Sequence, residues 1–394
     1  MHRHTLRKAT GPMILGKLNR GTVALCLCLL FAAAMVAQEP GAKAIGDLGR
    51  PTFITFDAPG AGTGDGQGTL AVSVNAKAAI SGFYADPNNL YHGFVRATNG
   101  AITTFDAPGA GTGTYQGTFS GFINLEGSIA GAYYDASDMS HGFVRAADGT
   151  LTTFDVPGAG TGDTQGTYAS DLNAEGTVIG FYLDANNLYH GYVRAHSGTI
   201  ATFDIPGAGT GAYQGTVPSS INAAGTIAGT YYDASNVGHG FVRASDGAIS
   251  TFDAPGAGTG GINEGTFEKS LNAEGTIAGF YSDANDLWHG FVRAADGTIV
   301  TFDAPGAGTG AYQGTVAWSI DAGGTIAGLY LDANYLYHGF LRDSSGLAIT
   351  SFEVPGAGTG TYQGTFVRSL NNLGAITGYY YDANNVSHGF LLTP

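Results

Sequence analysis

The chain has 394 residues and a formal net charge of −15, with 65 glycines, 21 tyrosines and 22 phenylalanines but only 12% charged residues. A chain this acidic lacks the cationic surface that binding to nucleic acid or to anionic membranes requires. We therefore expect no nucleic-acid partner. Abundant glycine and aromatic residues favour short strands and turns over helices.

The first segment of the chain differs from the rest. Five basic residues precede an apolar run over 23–37, which is typical of a secretory signal peptide and short for a membrane span. We expect residues 1–37 to be a signal peptide, cleaved after Ala34 or Ala37, and residues 38–51 to be a short linker. An uncleaved anchor is the alternative. The pattern predicts export to the cell surface, the periplasm or the medium, without membrane insertion of the mature chain.

The remaining residues, 52–394, form a predicted domain of seven repeats. Each repeat carries a Phe-Asp-x-Pro-Gly-Ala-Gly-Thr-Gly run (Phe-Glu in the last) and then a His-Gly-Phe triplet (His-Gly-Tyr in the third). The triplets recur every 49 or 50 residues, at His92, His141, His190, His239, His289, His338 and His388. Repeats of this length indicate one supersecondary unit copied along the chain, so a group present in every copy is architectural.

Within one repeat the pattern predicts four strands. In the third repeat these are 168–173, 177–183, 190–195 and 199–205, separated by turns rich in glycine, asparagine and aspartate. Four short strands joined by such turns make an antiparallel meander. Repeated meanders of this kind are typical of a β-propeller.

The two ends of the domain predict how the repeats are arranged. Residues 53–58 match a fourth strand without the three before it, and the chain stops after a third-type strand at 388–392. We therefore predict an all-β, seven-bladed β-propeller of four-stranded antiparallel blades, closed by the N-terminal strand. A stacked, open β-solenoid is the alternative.

The turn between the third and fourth strands predicts their register. Asp148-Gly149 is typical of a two-residue type I′ hairpin, which would pair His141 with Val156 and place Asp155 on the opposite face of the sheet. A His–Asp pair within the hairpin is therefore not expected.

The seven histidines suggest a metal or acid–base function, but a ring would hold them far apart. We expect each to be buried and to hydrogen-bond a turn of its own blade, with no metal site and no catalytic residue. The one cofactor that the pattern allows is weakly bound calcium, held by oxygen-rich turns such as 86–89. Asx turns use the same residues, which is the alternative explanation.

Positions that differ among the repeats are the candidate binding residues. Those on the first strands, which would line a central channel, are Asp171, Glu268, Lys269, Trp318 and Arg368. Those directly before a repeat histidine are Tyr91, Tyr189, Trp288 and Tyr337, and long loops at the same end add Tyr115, Tyr213, Tyr312 and Tyr362. Aromatic rings among neutral polar groups suit stacking on sugars or on a protein segment. Packing between loops is the alternative.

The His-Gly-Phe triplet and its surroundings resemble the HAF-type extracellular repeat family, named for a His-Ala-Phe triplet. An Ile-Asn-x-x-Gly turn at 221–225, a Thr-Ile-Ala-Gly segment at 226–229 and the pair Tyr231-Tyr232 match that pattern, which recurs from about residue 52 to 392. Glycine in place of alanine is the main departure. The resemblance implies exported bacterial repeat proteins without an assigned activity, so it carries over no functional residue.

From these features we predict a non-catalytic, monomeric binding module for a glycan or an extracellular protein. One alternative is a carbohydrate-active hydrolase or lyase that uses carboxylates of the channel. The other is a purely structural repeat protein of the cell surface.

Overall fold

The computed structural model describes residues 51–394, which contain 28 β-strands and no helix. The predicted signal peptide and all but the last residue of the predicted linker lie outside the described residues. The strands, numbered β1 to β28 in chain order, fall into seven groups of four, and in each group one strand is inner, two are middle and one is outer.

Inner strands have seven residues and are almost entirely buried, whereas outer strands have four or five residues and are partly exposed. The inner strands are β2 (Gly68–Val74), β6 (Gly117–Ile123), β10 (Gly166–Leu172), β14 (Gly215–Ile221), β18 (Gly265–Leu271), β22 (Gly314–Ile320) and β26 (Gly364–Leu370). The outer strands are β1 (Thr52–Phe56), β5 (Ile102–Phe105), β9 (Leu151–Phe154), β13 (Ile200–Phe203), β17 (Ile249–Phe252), β21 (Ile299–Phe302) and β25 (Ile349–Phe352).

Two middle strands join each inner strand to its outer one. The second strands are β3 (Ile80–Ala85), β7 (Ile129–Tyr134), β11 (Val178–Leu183), β15 (Ile227–Tyr232), β19 (Ile277–Ser282), β23 (Ile326–Leu331) and β27 (Ile376–Tyr381). The third strands are β4 (Tyr91–Arg96), β8 (Ser140–Arg145), β12 (Tyr189–Arg194), β16 (Gly238–Arg243), β20 (Trp288–Arg293), β24 (Tyr337–Arg342) and β28 (Ser387–Thr393). The strands predicted in the third repeat correspond to β10–β13, with ends that differ by up to two residues.

Consecutive strands pair antiparallel, so that β2–β5 form sheet 1 and β22–β25 form sheet 6. Sheet 7 contains β26, β27 and β28, and its outer strand is β1, which pairs with β28 from Thr52↔Thr393 to Phe56↔Gly389. The predicted closure by the N-terminal strand is confirmed.

The sheets form a ring. Each inner strand contacts the inner strand of the next sheet, and β26 of sheet 7 contacts β2 of sheet 1. The start of each third strand also makes one parallel pair with the next inner strand, as in Tyr91↔Gly117, and the last such pair is Ser387↔Gly68. An open stack of repeats, the predicted alternative, would leave its first and last units apart.

An asparagine at the end of the inner strand links neighbouring sheets. Asn124 Nδ2 donates to Asn173 O at 3.2 Å, and Asn371 Nδ2 donates to Asn75 O at 2.8 Å, which carries the link from sheet 7 to sheet 1. The Oδ1 atom of the same residue accepts N–H groups of its own turn, such as that of Ser128 on Asn124. The asparagine of the Ile-Asn-x-x-Gly segment therefore shapes a turn and joins two sheets.

The turn between the third and fourth strands corrects the predicted register. Ala146 O accepts from Gly149 N–H, Ala146 N–H donates to Thr150 O, and Gly149 has φ +95°. The loop thus has three residues and ends in a left-handed glycine, whereas a type I′ turn also needs positive φ at Asp148, which is not observed. Gly142 then pairs with Phe154. The register shifts by one residue, and every side chain of the fourth strand changes face.

Candidate functional site

Each repeat histidine forms a pair with the carboxylate that follows the fourth strand, contrary to the prediction. His141 Nδ1 lies 2.9 Å from Asp155 Oδ1, and the corresponding atoms of His92 and Asp106 are 2.8 Å apart. The one-residue shift in register is the reason, because it brings Asp155 to the face of the histidine. In sheet 7 the partner is Asp57, which the N-terminal strand supplies to His388.

The opposite nitrogen of each histidine faces the aspartate that begins the turn between the second and third strands. His141 Nε2 lies 3.4 Å from Asp135 Oδ2, and the other six distances reach 4.0 Å at most. The imidazole stacks on Tyr133 at 4.8 Å between ring centroids. With 16–23% of the side chain exposed, these histidines are not buried as predicted. Repetition in all seven sheets makes the arrangement architectural.

The turn aspartates are held by their own turns. Asp86 Oδ1 accepts the N–H groups of Asn88 and Leu90, as in an Asx turn. Burial raises the pKa of the Asp86 carboxyl, but these N–H donors outweigh burial, so the pKa lies below its ordinary value. Within residues 51–394, no three histidine, aspartate or glutamate side chains are arranged to hold a metal ion. Weak calcium binding at these turns stays a prediction.

All seven inner strands contain a β-bulge at the same position. The pairing of β2 with β3 skips from Ala71 to Ser73, which leaves Val72 as the extra residue. The bulge residues are Val72, Gly121, Ser170, Ser219, Lys269, Trp318 and Arg368. Bulges re-aim side chains and are frequent beside functional sites. The variable first-strand positions noted in the sequence therefore lie on or directly beside one ring of bulges, which we call the bulge ring.

Asp171 does not belong to the bulge ring. It occupies the next position, where five of the other six repeats have a serine. Four of these serines accept an N–H group of the following sheet, as Ser319 does from Leu370 at 3.1 Å. Asp171 Oδ2 accepts from Ile221 N–H at 3.0 Å, and the residue is 0% exposed. Burial raises the pKa of its carboxyl. Asp171 thus links two sheets.

Glu268 precedes the bulge residue of sheet 5 and is 1% exposed. Its Oε1 accepts from Ser220 Oγ at 2.7 Å, across the boundary with sheet 4. Burial raises the pKa of Glu268 to about 7, against this hydrogen bond and the charge of Lys269. A hydrolase or lyase acting through Asp171 and Glu268 would need reachable carboxylates, and both carboxylates are enclosed.

The other three predicted channel residues lie together. Lys269 Nζ is 5.2 Å from the ring centroid of Trp318, and the guanidinium carbon of Arg368 is 4.4 Å from it. All three are buried bulge residues, from sheets 5, 6 and 7. The structure therefore brings them together as one buried cluster of two cations around an indole, which we call the cation–indole cluster.

The residues that precede the histidines lie at the junctions between sheets. Tyr91 packs 4.5 Å from Phe119 of the next sheet, and Tyr337 packs 3.9 Å from Phe366, as measured between ring centroids. Tyr189 and Trp288 lie 6.3 and 6.5 Å from Tyr213 and Tyr312. All four residues predicted to bind a ligand take part in aromatic packing between sheets. This agrees with the alternative given for them, packing between loops.

Two variable positions at each junction change together. One precedes the histidine, and the other lies in the long loop that leads to the next inner strand. Four junctions are aromatic at both positions: Tyr91/Tyr115, Tyr189/Tyr213, Trp288/Tyr312 and Tyr337/Tyr362. Three are small or polar at both: Ser140/Thr164, Gly238/Asn263 and Ser387/Gly66. We call the first four the aromatic junctions and the others the small junctions.

The loop tyrosine of every aromatic junction has a left-handed backbone, with φ between +60° and +65°. Its N–H donates to a turn of the preceding sheet, as Tyr115 does to Asn89 O at 2.7 Å. Tyr312 and Tyr362 are 42% and 56% exposed. Bulky residues rarely adopt such a backbone, so this conformation could not be inferred from the sequence pattern. The bulge ring could not be inferred from that pattern either.

Comparison with known proteins identifies the type of fold. No protein-family model matches the chain, and no curated protein matches it. The solved structures that are similar include virginiamycin B lyase from Staphylococcus aureus (14% identity, 88% of this chain and 100% of that one, TM-score 0.54), the BP39L lectin from Burkholderia pseudomallei (9%, 79% and 91%, 0.53), and the β-propeller domain of the Trilobed protease from Pyrococcus furiosus (8%, 82% and 95%, 0.50). The fold is of the β-propeller type. At these identities the likeness concerns the fold alone.

No helix among the described residues is long and apolar enough to cross a membrane.

Proposed function

We propose that the protein is an exported, seven-bladed β-propeller, each sheet being one blade, that binds neutral glycans at its four aromatic junctions without transforming them. The carrying observation is the joint occurrence of two aromatic residues at four junctions and of none at the other three. The signal-peptide pattern and the HAF resemblance are compatible with a function outside the cell. The predicted monomer is part of the proposal.

The exposure of the loop tyrosines supports a function beyond packing. A left-handed conformation costs a non-glycine residue roughly 1–2 kcal/mol, and all seven junctions share it, since Gly66, Thr164 and Asn263 adopt it at the small junctions. The backbone therefore accepts a smaller residue at this position and does not require a tyrosine. Tyr312 and Tyr362 also keep much of their ring surface in solvent, so burial alone does not account for them.

The chemistry of these junctions suits uncharged sugars. A tyrosine ring offers a flat apolar face for stacking and a hydroxyl for hydrogen bonds. Asn89 and Asn187, whose backbone oxygens accept from Tyr115 and Tyr213 N–H, also accept at their side chains from Gln67 and Gln165 of the loops that precede their sheets, so each of these turns carries amide groups. Because the chain has a net charge of −15, acidic glycans would be repelled at this surface.

Four equivalent sites also explain how weak contacts could suffice. A single stacked sugar binds weakly, but several sites on one rigid scaffold raise the overall avidity by about 10²–10⁴ when a glycan reaches more than one of them. We therefore expect a preference for polymeric or surface-attached glycans over monosaccharides.

A glycan array with the mature chain tests the proposal. The test variant carries Tyr115→Asn, Tyr213→Asn, Tyr312→Asn and Tyr362→Asn together, since asparagine tolerates the left-handed backbone and occupies the same loop position as Asn263. We expect a loss of binding of at least about a hundredfold with an unchanged fold. Thr164→Asn, at a small junction, is the matched control and should bind like the parent chain.

Two outcomes would contradict the proposal. Binding that survives in the fourfold variant would place the glycan site elsewhere. A parent chain that binds no glycan on the array would favour the structural repeat protein.

A further inference from the structure

We propose that the cation–indole cluster is a binding site for a small oxyanion, that is, for a phosphate, sulfate or carboxylate group held at the centre of the ring. This site lies on the bulge ring and is independent of the aromatic junctions. Its chemistry is also the opposite of theirs, since it selects negative charge.

The first argument is the placement of charge. The seven inner strands carry only four charged residues: Asp171, Glu268, Lys269 and Arg368. The two cations come from sheets 5 and 7, yet both lie within 5.2 Å of the centroid of one indole in sheet 6. Burial, above all, lowers the pKa of Lys269 to about 8; the charge of Glu268 opposes this shift, and the nearby charge of Arg368 adds to it. Two buried cations thus repel each other where a bound anion would offset the repulsion.

Both acids hydrogen-bond sheet 4, although the charge of Glu268 also acts on Lys269. Asp171 is in sheet 3 and accepts from the backbone of sheet 4. Glu268 adjoins Lys269 in the chain, but its Oε1 is engaged by Ser220 of sheet 4. The acidic inner-strand residues therefore lie in sheets 3 and 5, and the basic ones lie in sheets 5 and 7.

The second argument is an unmet hydrogen bond. Trp318 is 2% exposed, and its Nε1 has no hydrogen-bond partner among residues 51–394. An unpaired buried donor costs about 1–3 kcal/mol. The indole N–H can donate but cannot accept, so its missing partner is an acceptor. An oxyanion provides acceptor oxygens and negative charge at once.

The size of the ligand follows from burial. Because Lys269, Trp318 and Arg368 are all buried, the proposed ligand is a free inorganic anion or the acidic end group of a longer molecule, not a whole oligosaccharide. Hydrogen bonds from Lys269 and Arg368 to the anion would be charge-assisted, and bonds of this kind are roughly twice as strong as neutral ones.

The chain provides its own reporter, because its only tryptophans are Trp288 and Trp318. In a Trp288→Phe background, the fluorescence of Trp318 would be titrated with sodium sulfate, sodium phosphate and sodium glucuronate at constant ionic strength, balanced with sodium chloride. We expect a saturable change in emission. Saturation by sulfate or phosphate indicates a free anion, and saturation by glucuronate alone indicates the acidic end of a sugar.

Variants in the same background separate a site from a general salt effect. Arg368→Gln and Lys269→Gln should each weaken the response at least about tenfold, whereas Arg368→Lys, which keeps the charge, should retain most of it. Arg293→Gln is the matched control: this arginine lies 4.8 Å from the ring centroid of Phe252, away from the bulge ring, so the response should not change.

The proposal fails if Trp318 emission responds to none of the three anions in the folded protein. It fails equally if Arg368→Gln and Lys269→Gln, with folding verified by circular dichroism, respond as strongly as Arg293→Gln. If Arg368→Gln does not fold, the responses of Lys269→Gln and Arg368→Lys are compared instead, and equal responses overturn the proposal.

Discussion

The His-Gly-Phe segments and the sheet junctions lie side by side but follow different rules. Every His-Gly-Phe segment makes the same contacts in all seven sheets: the histidine pairs with a carboxylate and stacks on a tyrosine, and the glycine lies beneath a phenylalanine ring. The junctions, by contrast, are aromatic in four places and small in three. A ring of equal sheets needs the first kind of position to be uniform. Differences at the second kind are therefore where a ligand can be selected.

The largest expected effect concerns a uniform position. In sheet 1 a Cβ atom on Gly93 would lie 2.6 Å from the ring of Phe105, so Gly93→Ala should destabilise the fold by about 1–3 kcal/mol through overpacking. Thermal and urea unfolding would measure the loss. Phe105→Leu should relieve the clash, and a double variant whose loss equals the sum of both single losses would contradict this explanation.

A smaller effect is expected where one repeat breaks the uniform pattern. Sheet 6 has Asp321 in place of the asparagine that links sheets, and its buried Oδ2 has no partner among the described residues. Asp321→Asn should stabilise the protein by about 0.5–1.5 kcal/mol near neutral pH, because it removes a buried carboxylate and adds a donor.

The gain should depend on pH. Burial raises the pKa of the Asp321 carboxyl, despite hydrogen bonds from Thr325. An acid whose pKa is raised on folding destabilises the protein progressively as pH rises from its ordinary pKa, near 3.9, to the raised one. The advantage of Asp321→Asn should therefore be greatest above the raised pKa and smallest in acid. Equal gains at both extremes would count against the buried carboxylate as the cause.

The smallest effect tests the variable positions. Tyr362 is more than half exposed and has φ +62°, and its ring lies 5.5 Å from that of Tyr335. Tyr362→Asn should raise the free energy of unfolding by up to about 1 kcal/mol, because relief of strain exceeds the lost packing. The reverse change at a small junction, Asn263→Tyr, should lower it by a similar amount. A tyrosine that stabilises both sites would show that these rings are packing residues.

The sequence predicted the fold correctly where a residue type favours a single kind of local structure. Turn residues and the repeat period located all four strands of a sheet, and the unmatched first strand predicted ring closure. The register of the last hairpin was missed because Asp148-Gly149 fits both a two-residue and a three-residue loop, and one residue decides the face of Asp155. The bulge ring was missed because an extra residue leaves no mark in an already irregular, fully buried strand.

The candidate site was predictable only in part. Variation among repeats pointed to Lys269, Trp318 and Arg368, which the structure brings together. It also pointed to Asp171, whose position is that of a linking serine, and no sequence signal separates a bulge residue from its neighbour. The four loop tyrosines of the aromatic junctions, all with positive φ, contradict the preference of their residue type. Local propensity could not have found them.

The pairing of β1 with β28 has a consequence for the order of folding. Because His388 and Asp57 are 331 positions apart, β1 is synthesised long before β28 and acquires its neighbour only when β28 is present. Closing a loop of that length costs entropy on the order of 5 kcal/mol, and until then strand β1 and the exposed edge of sheet 7 are open to pairing with other chains. The final step of folding is thus also the step at which two growing molecules could exchange ends.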